Sequence, residues 1–220
     1  MKYEIKEVRP DVFAIIVPDS YDRAMLFLRV QEYYENPTFK GTTFSIWDFI
    51  KEYSKDNKFT YAHDWDGFNV PYSVAEKCYN ETIRWFTPYD DIMIDIIDTI
   101  GPLQEGCIIG VDSLSSETFE HEIRHSEYLL NKQYRRKANE LIKGIDRVVY
   151  KEIADGLLSM GYDVSVLRDE IQAYICTNYI DLKGNQDILK ELHNLFVKEL
   201  KLDTTPLQIK YAPTEDEGLE

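Results

Sequence analysis

The chain has 220 residues, of which 44% are hydrophobic, and this is enough apolar material for one compact domain, so global disorder is excluded. Its 40 acidic and 25 basic side chains give a net charge of −15, which opposes binding to a nucleic-acid backbone or to an anionic membrane surface. That charge suits ordinary solubility or a cationic partner.

The cysteines and the apolar segments indicate a cellular compartment. Cys78, Cys107 and Cys176 are odd in number and form no C-x-x-C pair, which is typical of reduced thiols. Residues 1–7 lack the apolar segment of a secretory signal, and no apolar run approaches the ~20 residues of a membrane span. We therefore expect a soluble, cytoplasmic protein.

The first half of the chain mixes strand and helix patterns. Pro88 and the aspartates that follow it favour a helix start, because acidic side chains suit the positive end of the helix dipole. Residues 59–71 form an aromatic loop rich in turn residues, which we expect to pack on the core. The apolar spacing predicts a strand at 12–17 and helices at 21–34, 44–53 and 88–100.

The second half is mostly helical in its apolar spacing. We predict a strand at 106–111 and helices at 117–131, 133–160, 164–179 and 185–200. The expected fold class is α+β: a mixed N-terminal half with a small sheet, and a mostly helical C-terminal half. We expect one domain, 1–212, with possible lobes at 1–104 and 105–212, and a disordered acidic tail at 213–220.

Residues 121–125 carry the strongest chemical signal, with the sequence His-Glu-Ile-Arg-His. Helix residues four apart share a face, so His121 and His125 could bind one metal ion, with Glu122 beside the first ligand. This is the H-E-x-x-H arrangement of zinc peptidases, in which the glutamate is the general base. The alternative is a solvated helix that carries two surface histidines.

A catalytic zinc ion takes three protein ligands and leaves one position for water. Glu170 is the best candidate for the third ligand, because helical spacing puts it on the same buried stripe as Leu167 and Ile171. A carboxylate directed at the core is unfavourable unless it is paired or coordinated. Glu170 could instead pair with an arginine or a tyrosine hydroxyl. The same spacing puts Arg168 and Asp169 on the solvent side.

The motif and the Glu170 segment, together with the strand that precedes the motif helix, resemble the zincin metallopeptidases, in particular the gluzincin branch, in which a glutamate is the third ligand. The resemblance implies that His121, His125 and Glu170 bind Zn²⁺. It implies that Glu122 takes a proton from the zinc-activated water and passes it to the leaving amine.

Two further roles are implied by the same resemblance. Tyr174 lies one turn beyond the third ligand, and its hydroxyl would donate a hydrogen bond to the tetrahedral oxyanion. The strand at Ile108 and Ile109 would be the edge strand on which zincins bind an extended substrate.

The chain also departs from the gluzincin pattern. Arg124 and Glu127 are charged where zincin motifs usually have uncharged residues, and Arg124 could pair with Glu120, which would leave the helix more exposed than usual. Gluzincins often carry an aspartate three or four residues past the third ligand to orient a histidine. Here those positions are Ala173 and Tyr174, so another acceptor must orient the histidine.

The sequence therefore predicts a zinc-dependent metallopeptidase that acts on a peptide or protein substrate and has no nucleic-acid or membrane partner. Two alternatives stay open: an acidic, non-enzymatic interaction or inhibitor protein that binds a basic partner, and a zinc hydrolase of a small amide. His63 with Asp64 and Asp66 is a second candidate ligand set, although such a pattern in a loop is more typical of turns. The oligomeric state is not indicated.

Overall fold

The computed structural model describes residues 1–54, 58–80, 86–202 and 208–211. The predicted α+β class is confirmed, with a small mixed sheet and a mostly helical second half. The acidic tail predicted at 213–220 lies outside the described residues. Within the described part of the chain, no helix has the length and apolar character needed to cross a membrane.

The chain divides into two compact units, one comprising Met1–Thr118 with Thr205–Glu220, the other Phe119–Thr204. The sequence analysis placed its possible lobe boundary at residue 104 instead. The difference arises because the strand that follows residue 104 pairs inside the sheet of the first unit.

The first unit is built on a five-stranded sheet of order β3-β4-β2-β1-β5. Strands β2 and β4 are parallel, whereas the other neighbouring pairs are antiparallel. Every residue of β2 and β4 is buried, which explains their continuous apolar sequences. The strands are β1 (Glu4–Arg9), β2 (Val12–Ile16), β3 (Phe68–Pro71), β4 (Cys107–Val111) and β5 (Gln208–Tyr211).

Among its described residues, the first unit has five helices, and several begin at side-chain caps. Asp19 and Ser45 accept backbone N–H groups at the starts of α1 and α2, and Thr87 forms a reciprocal capping box with Asp90 at the start of α5. These helices are α1 (Ser20–Glu35), α2 (Ile46–Tyr53), α3 (Tyr61–Asp64), α4 (Tyr72–Asn80) and α5 (Pro88–Ile100).

The aromatic loop at 59–71 packs on the core of the first unit, as predicted. Tyr61 and Phe68 are 0% and 1% exposed, and the ring of Phe68 stacks on that of Phe27 at 5.2 Å between centroids. The loop also contains α3 and β3, which the sequence analysis did not predict.

The prediction that the strand of Ile108 and Ile109 is a substrate-binding edge strand is wrong. This strand, β4, lies inside the sheet and pairs with β2 on one side and with β3 on the other. Both isoleucine side chains are at most 1% exposed. Because its neighbours already pair with both edges of β4, an extended peptide has no edge to add to there.

The second unit is helical and has its own core. Its apolar core joins Ala138, Ile153, Ile171 and Phe196, all 0% exposed, with their neighbours. The helices are α6 (Glu117–Leu130), α7 (Lys132–Lys143), α8 (Arg147–Met160), α9 (Leu167–Cys176) and α10 (Gln186–Glu199), with a 3-10 turn at Tyr179–Asp181.

The prediction of one helix over 133–160 is wrong, because the chain breaks it into α7 and α8. Gly144 ends α7, and the side chain of Asp146 accepts the N–H groups of Val148 and Val149 at the start of α8. Gly161, the predicted C-cap, does end α8 in a left-handed conformation with φ 105°.

Candidate metal centre

Three side chains of the second unit converge on one point. The nearest nitrogen or oxygen atoms of His121, His125 and Glu170 all lie within 4.8 Å of one another. Glu170 Oε2 is 4.0 Å from Nε2 of His121 and 3.8 Å from Nε2 of His125. The motif helix α6 thus presents both imidazoles to the first turn of α9.

Glu170 is buried, as helical spacing predicts. It is 7% exposed, and the apolar neighbours on its stripe, Leu167 and Ile171, are 7% and 0% exposed. The stripe anchors α9 in the core, so the carboxylate of Glu170 points inward toward the histidines rather than into solvent.

Asp169 orients His125, and the prediction that Asp169 lies on the solvent side is wrong. Its Oδ1 is 2.8 Å from Nδ1 of His125, and its side chain is 28% exposed. A carboxylate only accepts hydrogen bonds, so Nδ1 of His125 is the donor, and the neutral form of His125, which is the form that binds a metal, has its lone pair on Nε2. Asp169 thereby supplies the acceptor missing at the positions of Ala173 and Tyr174.

Thr177 orients His121 in the same way. Its hydroxyl donates to the carbonyl of Ala173 at 2.8 Å, so Oγ1 accepts from Nδ1–H of His121 at 3.0 Å. The lone pair of His121 is therefore also on Nε2, the nitrogen that faces Glu170. Both histidines present the tautomer that binds a metal through Nε2.

The two histidines have opposite pKa shifts. Burial lowers the pKa of His125, but three carboxylates outweigh it and raise that pKa well above its ordinary value. Burial, His125 and Arg124 hold the pKa of His121 well below its ordinary value, against the opposing effect of a hydrogen bond that His121 shares with the Asn178 side chain. The negative field thus favours a cation at His125. The carboxylates belong to Asp169, Glu170 and Glu122.

Glu122 and two tyrosines surround the cluster. Glu122 is 7% exposed, and the ring of Tyr174 meets that of His121 edge to face at 5.0 Å. The hydroxyl of Tyr174 lies 3.0 Å from that of Tyr162. Burial raises the pKa of both tyrosines, with Glu170 adding to the effect. Both phenols are therefore protonated at neutral pH. The sequence analysis did not find Tyr162.

Arg124 is buried, contrary to the expectation of an exposed motif helix. The predicted pair with Glu120 is confirmed, with 2.7 Å between Nη2 and Oε1. However, Arg124 is only 2% exposed, because its guanidinium also donates to the hydroxyl of Tyr134 and to the carbonyl of Leu200. Arg124, the charged residue inside the motif, thus lies in the interior of the second unit.

The other histidines have ordinary surroundings. His63 and Asp66 are exposed, and Asp64 accepts hydrogen bonds from Tyr53 and Thr60, as turn chemistry predicts. His193 shares a hydrogen bond with the carbonyl of Ile175. In the part of the chain that the structure describes, His121, His125 and Glu170 are the cluster with the composition and spacing of a metal site.

No protein-family model, no curated protein and no solved structure matches this chain. The donor atoms of the three side chains therefore indicate the class of site. Two imidazole nitrogens and one carboxylate oxygen are zinc ligands that leave a fourth position open. Bonds of ~2.0–2.2 Å separate tetrahedral ligand atoms by roughly 3.3–3.6 Å. The separations of 3.8 and 4.0 Å from Glu170 to the two histidines, with all three ligand atoms within 4.8 Å of one another, are somewhat longer than these and are close enough for the three residues to bind a metal ion.

Proposed function

We propose that the protein is a zinc-dependent hydrolase, and specifically a metallopeptidase that cleaves a peptide bond in a peptide or protein substrate. The observation that carries this proposal is the convergence of His121, His125 and Glu170, with ligand atoms within 4.8 Å of one another. Glu122, buried beside them, supplies the general base that such chemistry needs.

The metal, when bound, would lower the pKa of a water molecule and polarise the scissile carbonyl. His121 and His125 would hold the ion through Nε2, since Thr177 and Asp169 hold their Nδ1 protons. Glu122 would accept a proton from the attacking water and deliver it to the leaving amine.

Tyr174 would donate a hydrogen bond to the oxygen that becomes negative in the transition state. Its hydroxyl meets that of Tyr162 at 3.0 Å, and its ring packs against His121. These contacts hold the phenol near the cluster, and a protonated phenol is the form that can donate.

The substitution Glu122→Gln tests the proposal. It keeps the size of the side chain but removes the proton acceptor, so we expect zinc to stay bound while hydrolysis falls about 10²–10⁴-fold. The assay uses a fluorescence-quenched peptide library and a set of small amides, with and without zinc. Cleavage confined to the small amides would favour a small-amide hydrolase.

Glu127→Gln is the matched control, because Glu127 lies on the same helix and accepts a hydrogen bond from Asn131 at 3.0 Å. It should keep the native rate. A Glu122→Gln variant that hydrolyses substrate as fast as the native chain would refute the proposed mechanism.

We place this activity in the cytoplasm as part of the same proposal. The cysteines at 78, 107 and 176 are buried and are not joined by disulfide bonds, which suits a reducing compartment. The alternative of an acidic interaction protein would gain support if neither zinc binding nor hydrolysis were found.

A further inference from the structure

We propose that Arg124, Tyr134 and Gln172 are positioning residues, which hold Asp169 in place and thereby fix the orientation of His125 and raise the zinc affinity of the site. This inference rests on the proposed metal site. It assigns a role to Arg124, the charged residue inside the motif that the hydrolytic chemistry itself does not use.

A continuous chain of hydrogen bonds links Arg124 to His125 through the interior of the second unit. Arg124 Nη1 lies 3.2 Å from the hydroxyl of Tyr134, which is 2.7 Å from Oε1 of Gln172. Nε2 of Gln172 is 3.1 Å from Oδ1 of Asp169. The same oxygen of Asp169 is 2.8 Å from Nδ1 of His125.

The donors and acceptors of this chain can be assigned by starting at the guanidinium of Arg124, which can only donate. A guanidinium has no acceptor, so the hydroxyl of Tyr134 accepts from Arg124 and must give its own proton to Gln172. That proton selects the oxygen of the Gln172 amide and turns the NH₂ group toward Asp169. The Asp169 carboxylate accepts from both sides, and Nδ1 of His125 is left as the donor.

The consequence at the metal site is a single tautomer of His125. With its proton held on Nδ1, the ring presents the Nε2 lone pair toward Glu170, which lies 3.8 Å away. Outer hydrogen bonds of this kind typically change metal affinity about 10–100-fold when they are removed. The chain that begins at Arg124 thus holds the Asp169 carboxylate in the position from which it accepts the Nδ1 proton.

The burial of the chain argues against a merely structural role. Gln172, Arg124 and Tyr134 are 0%, 2% and 7% exposed, and they join α6, α7 and α9. Apolar side chains of similar volume would hold three helices together at least as well, because buried polar groups must first lose their hydration. The polar residues add something that apolar residues would not: they hold the Asp169 carboxylate in one orientation beside His125.

The substitution Tyr134→Phe tests the inference, because it removes one hydroxyl and keeps the ring. The zinc Kd of the full chain is measured by competition with a chromogenic chelator, and unfolding of the zinc-free chain is followed by circular dichroism. We expect Tyr134→Phe to raise the zinc Kd about 10–100-fold while the zinc-free chain stays folded.

Tyr128→Phe is the control, since the hydroxyl of Tyr128 makes a comparable contact between α6 and α7, at 3.2 Å from Asn139, outside the chain of bonds. It should leave the zinc Kd within about twofold of the native value. Gln172→Met, which breaks the middle of the chain at similar volume, should weaken zinc binding as Tyr134→Phe does.

The possible results are distinct. Native zinc binding that Tyr134→Phe and Gln172→Met leave unchanged would overturn this inference alone, as would equal weakening in Tyr128→Phe. Failure of both test variants to fold would assign the chain of bonds to folding and would also overturn it. Failure of the native chain to bind zinc would overturn both this inference and the proposed function.

Discussion

Both units contain buried carboxylates, and the residues around each carboxylate determine whether a cation can offset its charge. In the second unit, Glu170 lies 4.0 and 3.8 Å from two imidazoles and the charge of Glu122 acts on His125, so a bound cation can offset the charge of both carboxylates. In the first unit, Glu32 is 8% exposed and its Oε2 accepts a hydrogen bond from Asn36 at 2.7 Å. Burial raises the pKa of Glu32, and the nearby Glu52 adds to this effect.

The raised pKa of Glu32 predicts a pH-dependent gain from the substitution Glu32→Gln. The pKa is higher in the folded chain than in the unfolded chain, so ionisation lowers stability as pH rises from the unfolded pKa through the folded pKa. The uncharged glutamine avoids this loss and can still accept from Asn36. We expect Glu32→Gln to unfold at a higher temperature than the native chain at pH 7, with the difference vanishing near pH 4.

Thermal unfolding across this pH range measures the effect. Glu76→Gln, at an exposed position of α4, is the control and should show no comparable difference at either pH. A lower unfolding temperature for Glu32→Gln at pH 7 would show that the carboxylate is stabilising there.

The three residues of the candidate metal site could be predicted from sequence, whereas the residues that orient the histidines could not. Spacing along a helix is enough to put His121 and His125 on one face and Glu170 on a buried stripe. The contact of Asp169 with His125 depends on how α9 packs against α6, and no local pattern contains that information. The same is true of Gln172, whose partners lie on two other helices.

At the scale of elements, the helix boundaries follow local capping chemistry. The capping box of Thr87 and Asp90 starts α5 where proline and acidic residues predict it. The break between α7 and α8 has an equally local cause, because Gly144 and Asp146 stand within three residues of each other. Because the apolar spacing continues across the break, helical periodicity alone predicts one helix where there are two.

The cap of α8 provides a prediction at this scale. Asp146→Ala removes the acceptor for the N–H groups of Val148 and Val149, and we expect a loss of about 1 kcal/mol in the free energy of unfolding. Urea denaturation of the full chain measures it.

Asp155→Ala is the control for this cap, since Asp155 is an exposed partner of Lys151 one turn along the same helix. Its effect should stay within about 0.5 kcal/mol. Equal losses in the two variants would mean that the cap hydrogen bonds add nothing to stability.

Strands were predicted less completely than helices, for reasons visible in the sheet. β2 and β4 are continuous apolar runs and were found, whereas β1 and β3 were not. In β1, the buried residues Ile5 and Val8 are three positions apart, because the pairing with β2 shifts register between Glu7 and Arg9. That irregularity removes the two-residue alternation by which a strand is recognised.

At the scale of the whole molecule, the residues of the candidate metal site all lie in one of the two units. His121, Glu122, His125 and Glu170, with Tyr162 and Tyr174, all belong to Phe119–Thr204. The first unit contains the sheet and the aromatic core, and its strand β4 lacks the free edge that the zincin resemblance implies. The ligand and base residues that the zincin resemblance implies stay a prediction, and the substrate strand that it implies is contradicted.

The proposed metal site binds one zinc ion through His121, His125 and Glu170. It is tested most directly by elemental mass spectrometry of the full chain after loading with zinc and exhaustive dialysis. The native chain and a control, Glu191→Ala at an exposed site on α10, should retain about one zinc per chain, and Glu170→Ala should retain far less. Absence of zinc in the native chain, or equal retention in Glu170→Ala, would contradict the account.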